Sequence, residues 1–216
     1  MRKGIMGIAV LALLGVAGAA WWLGRDRPDD PFSACRTSSL GTGLAVIGGP
    51  LSLIDENGVA VTEQDIFIRP TLLYFGYTFC PDVCPLDNAR NAEALDLLKA
   101  EGYDAQMAFI SVDPERDDPE QMRDFTDFLH PDAYGLTGSM EQILAASKAY
   151  KTYFKKEDNA DPEYYLIDHS TFTYLVLPEI GVVEFFKRET TPQEMAERAA
   201  CFMDTVGKYK ETPAIN

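Results

Sequence analysis

Cysteine and histidine are scarce in this chain, with four and two among 216 residues. That is too few for a disulfide scaffold or a cluster of zinc fingers, yet enough for one site. Positive charge is scarce as well: 19 Lys and Arg stand against 34 Asp and Glu, a formal charge of -15. Arg2 and Lys3 are the only charged residues before Arg25, so 17 basic and 34 acidic residues leave the remainder at -17. A surface of that sign repels phosphate backbones, which excludes nucleic acid as a partner. No internal repeat is visible. With 46% hydrophobic and 25% charged residues the chain is not disordered, and its length fits one domain with an appendage.

A long apolar run is present once. Gly4 to Leu23 are twenty uncharged residues closing on Trp21-Trp22-Leu23. At about 1.5 Å per residue such a helix spans the roughly 30 Å hydrocarbon core. Arg2 and Lys3 favour the cytoplasmic side and the tryptophans the headgroup level, so the body is expected outside the cytoplasm. Ala17-Gly18-Ala19 also fits a cleaved signal peptide, but the length of the run and the Trp pair favour an uncleaved anchor. The expected layout is a single N-terminal transmembrane helix over residues 1–24, a tether over 25–44 and a folded domain over 45–210. No Arg- and Ser-rich transit peptide is present. The expected location is therefore a bacterial inner membrane, single-pass, with the C-terminal domain in the periplasm.

Within the body, Asn57-Gly58 between apolar alternations predicts a hairpin over Leu51 to Thr62. Thr71 to Tyr77 is a short, continuously apolar and aromatic run, as a strand buried on both faces is, and Gln106 to Val112 is read as a second buried strand. Helices are predicted over Leu86 to Ala100, from Pro119 through about Leu129, over Met140 to Phe154 and over Thr191 to about Val206. A hairpin of Phe172 to Leu177 and Val182 to Phe186 precedes the last of them. The two early strands joined by a helix form a right-handed βαβ crossover. The expected fold class is α/β, thioredoxin-like, with an added N-terminal β-hairpin.

Cys80 and Cys84 sit at the junction of that first strand and its helix, where a thioredoxin-like protein keeps its cysteines. Three residues separate them. If the helix has already begun, both lie on one face with Cβ atoms about 5–6 Å apart, which permits a shared metal or a disulfide. The helix N-terminus lowers thiol pKa values, and Pro85 suits a first helical turn. A structural disulfide or two buried free thiols are the plainer alternatives. Two thiolates seldom specify a metal, so a third ligand matters. His169, in Asp168-His169-Ser170-Thr171 ahead of a strand, is the candidate, with Asp168 as the hydrogen-bonding group that orients its imidazole. His130 at a helix end more plainly serves the helix dipole.

These residues resemble the Sco/SenC family of copper chaperones. The resemblance is carried by Gly48-Gly49-Pro50 with the Asp55-to-Val61 hairpin, by Tyr74-Phe75-Gly76-Tyr77-Thr78-Phe79-Cys80-Pro81-Asp82-Val83-Cys84-Pro85, by Ser111-Val112-Asp113-Pro114-Glu115-Arg116-Asp117, and by Asp168-His169-Ser170. It implies a thioredoxin fold holding one copper per chain, Cu(I) or Cu(II), through Cys80, Cys84 and His169. It further implies assembly of the binuclear copper centre of cytochrome c oxidase, by copper delivery, by reduction of that centre's cysteines, or both. The implied partners are the copper-receiving oxidase subunit and other copper chaperones. Cys35 and Cys201 are additional to this pattern. In an exported protein they are expected to form a disulfide tying the tether to the last helix, with free, lipidated or reactive thiols as alternatives.

Two further functions fit the cysteine block. A thiol–disulfide oxidoreductase would cycle Cys80 and Cys84 as a redox pair, although Asp168-His169-Ser170-Thr171-Phe172 lacks the proline such enzymes keep beside their cysteines. A peroxide-reducing thiol enzyme would need an arginine near Cys80, for which Arg90 is the nearby candidate.

Overall fold

The Asn57-Gly58 signal produces the hairpin it predicts, between β1 (Ser52–Asp55) and β2 (Ala60–Thr62). Gly58 takes a positive φ of 77°, and one Asp55 carboxylate oxygen accepts the Asn57 and Val59 amides at 2.9 and 2.7 Å. In this computed structural model the described residues are 30–36, 47–157 and 164–211. The expected anchor over residues 1–24 and most of the expected tether lie outside them. Among the described residues no helix is long and apolar enough to cross a membrane. The chain divides into two units, Met1–Ala34 and Cys35–Asn216. The described part of the first is a turn in which the Ser33 amide donates to the Asp30 carbonyl at 3.0 Å.

The second unit continues from β2 through α1 (Glu63–Ile66), β3 (Thr71–Gly76), α2 (Val83–Ala100), β4 (Gln106–Ser111), α3 (Pro119–Leu129), β5 (Ala133–Thr137) and α4 (Met140–Tyr150). There follow β6 (Phe154–Lys156), β7 (Ile167–His169), β8 (Thr173–Leu177), β9 (Gly181–Phe186) and α5 (Pro192–Glu211). Seven strands form one mixed sheet in the order β2-β1-β5-β4-β3-β8-β9, while β6 and β7 pair separately. β3, β4 and β5 run parallel and β8 antiparallel to β3. All six residues of β3 and of β4 are buried, the polar Thr71, Gln106 and Ser111 among them, as strands covered on both faces are. Leu73, Tyr74, Phe75, Phe109, Ile110 and Leu136 form the centre of the core, each stabilising the fold by roughly 1.5–3 kcal/mol through burial.

The structure adds β5, the β6–β7 ribbon and the short α1 to the expected elements and shifts several boundaries. The segment Ala133–Thr137, with a central glycine and no alternation, gives no strand signal in the sequence. It is a strand through its parallel register with β4 and through the Gly135 amide donating to Glu56 Oε2 at 2.7 Å. α4 stops at Tyr150 instead of Phe154 because Lys151 turns left-handed, at φ 54°, and Phe154 enters β6. α2 begins at Val83, earlier than its apolar spacing indicates. β8 begins at Thr173, the first residue to pair with both β3 and β9, and Phe172 just before it meets Phe185 edge-on with ring centres 5.2 Å apart. Cys35 and Cys201 are joined as a disulfide with Cα atoms 5.7 Å apart, linking the start of the unit to α5.

Candidate metal centre

β3 delivers the chain to the cysteines. Beyond Gly76 the backbone turns, with the Cys80 amide donating to the Tyr77 carbonyl at 3.3 Å, and α2 starts three residues later. Cys80 therefore precedes the helix instead of sharing a face with Cys84. The turn curls back so that the Cys84 amide, in the first turn of α2, donates to Cys80 Sγ at 3.5 Å. Pro85 occupies that same first turn, where its missing N–H costs nothing. Both cysteines are free of disulfides and buried, Cys84 completely. Gly76 makes room for them: a Cβ there would sit 2.8 Å from Cys84 Sγ and 3.0 Å from the Tyr74 ring.

His169 ends β7, and its Nε2 lies 3.3 Å from Cys84 Sγ. The two sulfurs and a ring nitrogen all fall within 4.8 Å of one another. Ligands bonded at about 2.0–2.3 Å to one centre stand at most about 4.6 Å apart, so small rotations suffice for a shared ion. The imidazole Nδ1 lies 3.0 Å from the Ser170 carbonyl. A carbonyl only accepts, so Nδ1 donates to it and Nε2 is turned toward the sulfurs. Tyr74 and Tyr77 meet the imidazole edge-on at 6.0 and 5.8 Å.

The orienting bond thus comes from Ser170 and not, as expected, from Asp168. Successive strand residues face opposite sides, and Asp168 is exposed opposite Lys155 while His169 turns inward. His130 takes no part either. It is buried at the end of α3, with Nδ1 accepting the Asp132 amide at 2.9 Å and Nε2 3.2 Å from Asp96. Arg90 commits Nη1 and Nη2 to the Lys187 carbonyl, Asn91 and Thr173, partners other than Cys80.

The electrostatics divide the two sulfurs. The Cys84 thiol donates to Cys80, and this bond, helped by His169 and the Asp82 and Cys84 amides, outweighs burial and pulls the Cys80 pKa down to about 3. Donating that hydrogen, together with burial, pushes Cys84 up. The pair accordingly holds a single proton on Cys84. Burial first, then the charges of Cys84 and Asp87, also pushes Tyr74 up. Its hydroxyl donates to the buried Asp87 at 2.8 Å, which also pairs with Arg188 at 3.2 Å. Gly76, Tyr74, Tyr77, Asp87 and Ser170 carry no legible signal of these roles in the sequence. The aromatic run reads there as plain core, and the run and the site turn out to be one.

A thiolate, a thiol and an imidazole nitrogen converging in a buried notch suit a soft or borderline cation. The model of the family described as SCO1/SenC matches residues 41–204. The chain belongs to the SCO1/SenC family. Among its relatives, Protein SenC of Rhodobacter capsulatus is 45% identical over 206 residues, covering 95% of this chain and 91% of that one. Among solved structures, Arabidopsis thaliana ScoI with copper bound superposes with a TM-score of 0.69 at 38% identity, over 76% of this chain and 99% of the other. BsSco, described as a Sco-family cytochrome c oxidase assembly protein with a disulfide switch, gives 0.56 at 25% identity, over 74% and 94%. This SCO1/SenC chain shares their α/β fold.

Proposed function

We infer that this SCO1/SenC protein is a copper-binding assembly factor of cytochrome c oxidase, holding one copper through Cys80, Cys84 and His169. The observation that carries the reading is the convergence of three ligand atoms, brought from a turn, a helix start and a separate ribbon, within 4.8 Å. Copper enters from kinship with ScoI, whose structure contains it, and from the donor set: two soft sulfurs suit Cu(I), and an added imidazole accommodates Cu(II). Zinc fits the same atoms less selectively. Cys80 is ready as a thiolate, Cys84 gives up its proton on binding, and Ser170 keeps Nε2 facing inward. Three protein ligands leave an approach by which a partner's ligand can take the metal, as a donor requires. The copper-receiving oxidase subunit is that partner. We place the domain in the periplasm of a bacterial inner membrane, anchored through residues 1–24.

A second reading, reduction of a partner's disulfide by the Cys80 and Cys84 pair, is favoured by the split protonation of the sulfurs, which supplies an attacking thiolate beside a proton donor. The disulfide switch described for BsSco lies in the same direction. One variant separates the two. In the full-length protein His169→Ala is expected to weaken Cu(II) binding by more than the about 10–100-fold typical of losing an outer hydrogen-bonding partner. The thiol pair should still oxidise and reduce. Unchanged Cu(II) affinity and EPR spectrum in that variant would exclude His169, and with it the copper reading built on three ligands.

A further inference from the structure

β7 carries His169 but stands outside the seven-stranded sheet. With β6 it makes a ribbon of three residue pairs, and an isolated two-stranded ribbon is marginal in water. Something beyond its own ladder has to hold the imidazole over the sulfurs. The metal centre leaves unused the motif Ser111 to Asp117, which contains Arg116. Its guanidinium carbon lies 3.6 Å from the ring centre of Tyr165, 5.1 Å from that of Phe79 and 5.7 Å from that of Tyr77. Tyr77 and Phe79 lead into Cys80, whereas Tyr165 precedes His169 on the ribbon side, so one cation touches both halves of the site. Its Nε donates to Asp113, whose other oxygen accepts the Tyr165 hydroxyl at 2.6 Å. Its Nη2 is buried without a hydrogen-bond partner, so the charge there meets ring faces instead of oxygens. Tyr77 completes the link by accepting the Ile167 amide at 3.2 Å.

We propose that Arg116 is a positioning residue which, by clamping Tyr165 against Tyr77 and Phe79, holds β7 and so the His169 nitrogen in register with Cys80 and Cys84. The inference rests on the copper reading and deepens it: the nitrogen donor rides on a ribbon of three residue pairs that needs the clamp, whereas the sulfurs are held by the β3–α2 junction itself. Cu(II), which depends on the imidazole, is then far more sensitive to Arg116 than Cu(I), which two sulfurs satisfy.

The test uses the full-length protein and Arg116→Met, which keeps a long apolar stem while removing the charge and the planar face. Cu(II) affinity is expected to fall by about 10–100-fold and Cu(I) affinity to stay within about threefold. The Cu(II) EPR signature should move toward that of His169→Ala. In metal-free protein the Ile167 amide should exchange its hydrogen faster. Arg116→Lys, which keeps charge without the stacking plane, should fall between. If Arg116→Met does not fold, Tyr165→Leu opens the same clamp from the ribbon side and is read identically. A wild-type EPR spectrum and Cu(II) affinity in the folded variant, with unaltered Ile167 exchange, would overturn the proposal. The exchange measurement contains no metal, so a wild-type protein that bound no copper would refute the proposed function while leaving the clamp to be judged on its own result.

Discussion

At the scale of the residue, one proton shared between two sulfurs governs the metal-free site. Cys80 is held far below its ordinary value of 9.0 because its thiolate accepts the Cys84 hydrogen, and Cys84 is held above it for the same reason. The linkage signs follow. Between about pH 4 and 8 an unfolded Cys80 binds a proton that the folded one does not, so stability rises with pH through that window and is lost as pH falls toward the folded value of about 3. Above the ordinary value the folded Cys84 keeps a proton the unfolded thiol sheds, and stability declines again. Urea titrations of reduced, metal-free protein should show this rise, and Cys80→Ser should flatten it. Ultraviolet thiolate absorbance should report one thiolate per chain at neutral pH; two, or none, would refute the assignment.

The decisive element is the junction between β3 and α2. A strand buried on both faces runs straight into the turn that carries Cys80, so the sulfurs inherit the rigidity of the core. Gly76, the last residue of β3, allows Cys84 to lie against the strand, where a methyl group would meet its sulfur, the Tyr74 ring and the Phe109 ring at 2.8 to 3.1 Å. Gly76→Ala is expected to destabilise the protein by about 1–3 kcal/mol through overpacking. It should also weaken metal binding by pushing Cys84 Sγ away from His169. Chemical denaturation and a metal competition assay on the same sample check both, and wild-type values in each would show that the close approach is unimportant. The aromatic residues of β3 read as core and are core. That they also frame the imidazole follows from where the separate β6–β7 ribbon lands, which no period along the chain encodes.

For the molecule as a whole, the Cys35–Cys201 disulfide closes a separation of 166 residues and joins the entry of the folded unit to α5. Arg36 reinforces the seam by donating to the Val183 carbonyl at 2.7 Å. In the chain-entropy account a loop of that size stabilises by up to about 5 kcal/mol, and real bridges in small exported domains give about 2–5 kcal/mol. A Cys35→Ser/Cys201→Ser variant should unfold at clearly lower denaturant yet bind copper as before, because the bridge shares no contact with the metal ligands. Loss of copper binding from the folded variant would show instead that the two regions are coupled.

Legible along the chain were the hairpin, through Asn57-Gly58; the central strands, through their largely apolar runs; and the chemical identity of the three candidate ligands. Each is written locally, in turn chemistry, in burial or in the donor atoms of a side chain. Tertiary structure alone decided that β5 is a strand, that Ser170 and not Asp168 orients the imidazole, and that Cys80 stands ahead of the helix instead of on it. It also decided that Arg116 reaches both halves of the site. The physical reason is common to all four: each depends on which groups meet once distant segments pack, where sheet register, strand facing and ring contacts select partners that sequence neighbourhood does not specify.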